Sequence, residues 1–154
     1  MPPGMKVTVF SKDEIEQFLK SQKIGVLALN DGKNSYAVPL AYMYDTDTIY
    51  LTLGKSGRKT GYLEKNQNAS FCVYLLAGDA GTPGKNGYTS AICDGVISRI
   101  TDSEELRERG TASEKAMGMP PGAMNGLIEK TLKDPDNSIF WKVSLHDMGG
   151  VKAE

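Results

Sequence analysis

The segment Lys55-Ser56-Gly57-Arg58-Lys59-Thr60 gathers three cations and two hydroxyls where a strand pattern ends and a helical one begins. A helix start offers free N–H groups and a partial positive charge, so it attracts phosphate. Arg58 would add a bidentate clamp, and Lys55 and Lys59 point charges. A solvated basic turn has the same composition, so on the residues alone both readings stand. A nucleotide loop does not. The spacing G-x-x-x-x-G-K-[ST] around Gly54-Lys55-Ser56 needs glycine where the chain has Ile49. Gly84-Lys85 fails in the same way, with Asp79 at the glycine position and Asn86 in place of the hydroxyl.

Other chemistry is sparse. The single histidine, His146, precedes Asp147, but no G-x-S-x-G elbow supplies a nucleophile. A histidine at the surface or at a strand end accounts for it, and haem ligation would rest on this one residue. Cys72, Cys93 and His146 fall short of the ligand set of structural zinc. Both thiols lie in apolar, strand-like runs and read as buried and reduced, which fits a cytoplasmic protein. Tyr36, Tyr42, Tyr44, Tyr50, Tyr62 and Tyr74 crowd the first four strands. They would suit stacking on a flat ring, but tyrosine also favours half-buried strand faces.

These residues need elements to position them. Ser11 and Glu14 form a capping box, and Ile15, Phe18 and Leu19 make one apolar stripe, which predicts a helix over 11–22. Ile24 to Leu29 is apolar on both faces and predicts a strand buried on both sides. The Asp31-Gly32 turn leads to a second strand over 35–43, with Tyr36, Val38, Leu40 and Tyr42 on one face. A turn at Asp45–Asp47 leads to a third over 48–53, completing an antiparallel meander. Pro39 cannot donate to a ladder, so it marks an edge or bulge whose backbone a ligand can use. A short helix from Arg58 to Lys65 and a strand over 69–76 follow. A glycine-rich loop over 77–87 leads to a long strand over 88–100. Asp102 or Ser103 caps a polar helix to Arg109. Met117 to Gly122 is a loop, and Met124, Leu127, Ile128 and Leu132 mark one more helix. The last strand runs over 138–145, with Ile139, Trp141, Val143 and Leu145 on one face.

The expected fold is mainly β with peripheral helices: six antiparallel strands that curl into a small closed or split barrel. The 154 residues make a single domain, 1–154, and 40% hydrophobic content supplies its core. Eighteen basic against nineteen acidic residues give a net charge of -1, which excludes the basic footprint of a nucleic-acid binder. The first residues lack the apolar run of a signal peptide, and no stretch reaches the length of a membrane-spanning helix, so no membrane partner is expected.

Read in order, these pieces resemble the flavin-binding split barrels related to pyridoxamine 5'-phosphate oxidase, and within them the nitroimidazole-resistance (Nim-type) branch. The likeness runs through Ile24-Gly25-Val26-Leu27-Ala28, Tyr36-Ala37-Val38-Pro39-Leu40-Ala41-Tyr42, Asp47-Thr48-Ile49-Tyr50-Leu51, Ser56-Gly57-Arg58-Lys59 and Asn68 to Val73. It continues through Gly95, Asp102 to Leu106 and Met148 to Lys152. Arg58 stands where Nim-type proteins often carry histidine. The resemblance implies an FMN-dependent oxidoreductase acting on a small organic acceptor, such as a nitro compound, and a homodimer with flavins at its interface. It places the FMN phosphate at Ser56, Arg58 and Lys59 with Lys55 nearby, and the ring along Val38, Pro39 and Leu40. Thr52 and Leu53 would flank the ribityl chain, and Trp141 would either complete a site across the dimer or pack in the core. The Met/Pro-rich loop over 117–124 looks particular to this chain, and by its composition it would either cover the acceptor or serve as a plain connection. The competing class is a non-catalytic flavin- or haem-binding module for electron transfer or sensing.

Overall fold

The computed structural model describes residues 4–76 and 87–154, so the glycine-rich segment expected from Ala77 lies, up to Asn86, outside the described residues. The first helix, α1 (Lys12–Ser21), begins where expected. Ser11 Oγ accepts from the Glu14 N–H at 3.3 Å and the Glu14 carboxylate accepts from the Ser11 N–H at 3.1 Å. Ile15, Phe18 and Leu19 are its buried face.

Among the described residues there are eight strands rather than six. Strands β1 (Val7–Val9), β2 (Ile24–Asn30), β3 (Ser35–Ala41), β4 (Met43–Asp45) and β5 (Thr48–Thr52) precede helix α2 (Arg58–Lys65). Strands β6 (Asn68–Leu76) and β7 (Tyr88–Arg99) follow, then helices α3 (Ser103–Ala116) and α4 (Asn125–Lys133), and finally β8 (Phe140–Ala153). The hydrogen-bonded order is β3-β2-β6-β7-β8-β5-β4, with β1 added to the end of β8. All pairs are antiparallel. The two ends of this order, β3 and β4, are consecutive in the chain, so the sheet curls back on itself as the expected split barrel.

The difference in strand number has local causes. The strand expected over 35–43 is broken at Tyr42, whose hydroxyl donates to the Leu19 carbonyl at 2.6 Å and whose ring meets Phe71 edge-on at 5.1 Å. That buried anchor turns the chain from β3, which pairs with β2, to β4, which pairs with β5. The meander is therefore two hairpins joined at a corner, with β5 paired to β8 instead of β3. Strand β1 escaped the sequence pattern because all three of its residues are exposed and only edge pairing holds it.

The last strand runs to Ala153 rather than ending at Leu145. A Cβ at Gly150 would meet Ile15 at 2.8 Å: the glycine lets α1 pack onto the continued strand. His146 is the extra residue of a bulge, since Gly95 pairs with Leu145 and Asp94 with Asp147. Helix α3 likewise passes through Gly110, where the sequence pattern ended it. A Cβ there would meet Ile128 at 2.7 Å, so the glycine sits where α4 crosses closely.

The barrel interior is filled by Leu27, Leu29, Ile49, Leu51, Phe71, Val73, Cys93, Ile97 and Val143. Ile100, Leu106, Ile128 and Phe140 form a second, smaller core that seats α3 and α4. The outer face of β2 is open in this chain, against the expectation of burial on both sides: Ile24 is 59% exposed and Val26 and Ala28 are half-buried.

Candidate functional site

Helix α2 is entered through its N-cap Gly57, whose φ of 123° is a conformation side chains rarely adopt, and no side chain among the described residues caps the helix. Its first turn carries no acidic residue. Lys55, Ser56 and Arg58 are exposed and Lys59 is half-buried. None of the ion pairs among the described residues uses Lys55, Arg58 or Lys59. The Arg58 guanidinium lies 5.1 Å from the centre of the Tyr36 ring, and Tyr36 stacks on Tyr62 at 5.3 Å. This column ties the first turn and the middle of α2 to β3, so the free N–H groups and the cations stand beside that strand.

Among the described residues strand β3 pairs only with β2, so Pro39 does sit on an edge. The Tyr42 N–H donates to the Lys23 carbonyl at 3.0 Å, which sets the alternation of the ladder. Backbone groups of Leu40, Val38 and Tyr36 then point to β2, and those of Ala41, Pro39 and Ala37 point away from it. Proline falls in the outward set, where its missing N–H breaks no sheet bond. Val38 and Leu40 lean on the barrel core, whereas Pro39 is exposed on the other face.

The remaining predicted residues gather elsewhere. Leu53 is 1% exposed and belongs to the barrel core, with its N–H bonded to the Ile139 carbonyl at 2.8 Å. Thr52 is exposed on β5 and opens onto a cleft of ≈ 500 Å³ between the end of α1, the β3–β4 corner and the last turn of α3. Ala41, Met43, Tyr50, Ser113 and Met117 line the same cleft. Behind it lies a pit of ≈ 20 Å³ that shares Met43, Tyr50, Thr52 and Ser113 and adds Arg109 and Trp141. Trp141 pairs with Leu51 across the sheet, and Arg99 lies 4.7 Å from its ring centre.

Arg109 was not singled out by sequence reading. It is 7% exposed, lies 3.5 Å from the centre of the Tyr50 ring, and its Nε has no hydrogen-bond partner among the described residues. A signal was present: Leu106, Arg109, Gly110 and Ser113 fall on one helical face, and all four are buried. A helix that stops at Arg109 does not show this face.

The loop over 117–124 is held rather than loose. Buried Glu114 accepts the Met124 N–H on its carboxylate at 2.9 Å, and its carbonyl accepts the Met119 N–H at 2.8 Å. This places Met117 at the cleft wall.

Acid–base and thiol chemistry find little support here. Burial raises the Tyr42 hydroxyl above its ordinary range and pushes Tyr44 up to about 12, so both stay protonated and serve as donors, Tyr44 to Glu16 at 3.0 Å. Cys72 and Cys93 are free, and burial pushes the Cys93 thiol up to about 12, far from a reactive thiolate. His146 is exposed in its bulge. Among the described residues no cluster of metal-ligating side chains occurs, and no helix is long and apolar enough to cross a membrane.

Comparison with known proteins agrees with this architecture. No curated protein matches the chain in sequence at a significant level. A FAD-binding protein of Mesorhizobium loti is 21% identical, covers 96% of this chain and 99% of its own, and superposes with a TM-score of 0.69. A Bacteroides thetaiotaomicron protein described as a 5-nitroimidazole antibiotic resistance protein is 27% identical over 97% of this chain and 89% of its own, with a TM-score of 0.65. The FAD-binding protein of Mycobacterium smegmatis is 16% identical over 96% and 99%, with a TM-score of 0.66. The family model for pyridoxamine 5'-phosphate oxidase matches residues 11–149, from the capping box of α1 to the glycines of β8. The chain belongs to the pyridoxamine 5'-phosphate oxidase family.

Proposed function

We propose that this chain is an FMN-dependent oxidoreductase that works as a cytoplasmic homodimer on a small organic acceptor. The observation that carries the reading is the set of unpaired cations at the start of α2, stacked through Arg58 on Tyr36 of an edge strand. Lys55, Ser56, Arg58 and Lys59 would hold the phosphate by charge-assisted hydrogen bonds and the helix dipole. Val38, Pro39 and Leu40 would carry the ring along the unpaired edge of β3. Thr52 and the backbone at Leu53 would flank the ribityl chain. When bound, FMN supplies hydride and electron transfer, so the protein needs no acid–base cluster of its own. The nitro class of acceptor follows from the Nim-type resemblance and the Bacteroides neighbour.

The dimer has its own support. Val26, Cys72 and Ile92 lie in register across β2, β6 and β7, on an outer face where Ile24, Tyr74 and Ile92 are 59%, 60% and 55% exposed. Monomers seldom leave such a row open. Trp141 would serve a site completed by the second chain, and residues 1–154 act as one domain.

The visible spectrum of the purified protein, before and after adding FMN, tests the cofactor. Flavin bands support the reading, a Soret band replaces it with haem, and no gain on adding FMN removes it. Light scattering should give twice the 16.7 kDa chain mass. FMN-loaded protein given NADH or NADPH should reduce a nitroaromatic. If it reduces neither nitro compound nor quinone, the flavin-carrier role is to be preferred.

A further inference from the structure

The cleft beside Thr52 has an unusual charge pattern. Lys20 and Lys23 line its mouth, Arg109 lines the pit behind it, and among the described residues no carboxylate lines either. A guanidinium stays protonated in any protein surroundings, so Arg109 carries its charge at 7% exposure. None of the ion pairs among the described residues involves it. The Tyr50 ring offsets only part of the hydration such a group has lost. A buried cation with no ion pair and an unpartnered Nε among the described residues, lining a pit, points to an anion brought from outside.

The dimensions narrow that anion. A pit of ≈ 20 Å³ has room for about one water or one oxygen atom. It suits one oxygen of a flat carboxylate and is small for a phosphate group. Thr52 and Ser113 border the pit and offer hydroxyls. In front of it Tyr42, Met43, Tyr50 and Met117 form a largely apolar wall. Met side chains adapt to varied apolar shapes.

We infer that the cleft binds a small aromatic or apolar carboxylic acid, its carboxylate at Arg109 and its body between Tyr50, Met43 and Met117. The inference rests on the oxidoreductase reading only in making that acid the acceptor, and it names the acceptor class. Lys20 and Lys23 draw the acid to the mouth, and Arg109 fixes its orientation.

Calorimetric titration of the full chain with benzoate and with neutral benzamide tests the site without any flavin. Benzoate should bind at least about tenfold more tightly, the scale of one charge-assisted hydrogen bond. Arg109→Gln should abolish that preference, and Arg109→Lys should keep part of it, with circular dichroism showing both variants folded. Benzoate should shift the methyl resonances of Met43 and Met117 in the wild-type chain, a readout that stands even if a variant fails to fold. Equal binding of the two probes, a preference that survives Arg109→Gln, or shifts confined to other methionines would overturn the inference. Flavin-loaded protein should then show a lower KM for 4-nitrobenzoate than for 4-nitrobenzamide, with similar kcat. If the chain takes no flavin but keeps the benzoate preference, the oxidoreductase reading fails alone and the acid site stands.

Discussion

Two arginines of this chain lie over tyrosine rings: Arg58 at 5.1 Å from the centre of Tyr36, and Arg109 at 3.5 Å from that of Tyr50. Neither takes part in an ion pair among the described residues. Arg58 is exposed, so water solvates it and its unpaired state costs little. It points to a ligand only through its company, Lys55, Lys59 and an uncapped helix start. Arg109 is buried in α3, and its unpaired state is expensive without any company at all. Burial thus changes what an unpaired charge means. At the surface a cluster is needed to argue for an anion, whereas inside the protein one group suffices.

The largest expected effect separates the platforms of the two stacks. Leu106 is fully buried with Ile100, Ile128 and Phe140 in the small core that seats α3. Leu106→Ala should lower stability by about 3 kcal/mol in urea unfolding. The benzoate preference should weaken with it, while the ratio of FMN to riboflavin affinity stays unchanged. A change in that ratio would mean that α2 and α3 serve one site.

Next comes the surface arginine. Each charge-assisted hydrogen bond is worth about 1.5–3 kcal/mol, so Arg58→Ala should weaken FMN by at least tenfold and riboflavin far less. Unfolding free energy should stay within about 0.5 kcal/mol of wild type, as for an exposed site. Equal losses for the two flavins would take Arg58 off the phosphate and leave its stack on Tyr36 structural.

The buried arginine should behave in the opposite sense. Arg109→Met keeps much of the volume and removes a buried charge that has no partner, so it should raise unfolding free energy by about 1–2 kcal/mol while abolishing acid binding. A destabilised variant would show that the free protein already compensates Arg109, and that its charge awaits no ligand.

The same contrast explains what the sequence made legible. The Arg58 cluster was visible because its residues are consecutive, and the edge position of Pro39 because a missing N–H has few places in a sheet. The barrel followed from strand alternation, turns such as Asp31-Gly32, and the capping box at Ser11. Arg109 was hidden by Gly110, which reads as a helix stop until α4 is known to cross there. The continuation of β8 past Leu145 runs through the bulge at His146, which breaks the apolar alternation, and its glycine at 150 serves the close approach of α1. In each case glycine served long-range packing, and local propensity gave the wrong sign. The corner at Tyr42 was equally out of reach, since it depends on the Leu19 carbonyl and the Phe71 ring.

The smallest effect concerns Glu114, the buried carboxylate on the helix that carries Arg109. It sits five residues further on, and among the described residues its carboxylate accepts from the Met124 N–H at 2.9 Å and makes no bond to Arg109. If the loop over 117–124 engages Glu114 fully, Arg109 remains without a counter-charge. Glu114→Gln keeps an acceptor oxygen for Met124 and removes only the charge. The bond should weaken to a neutral one, lowering unfolding free energy by about 0.5–1 kcal/mol. Benzoate affinity should change less than about twofold, because a carboxylate that makes no direct bond to the guanidinium contributes little to it. A much tighter benzoate complex in the Gln variant would reveal Glu114 as the resident counter-ion of Arg109. The buried arginine would then be compensated at a distance, and the contrast with Arg58 would shrink to one of exposure alone.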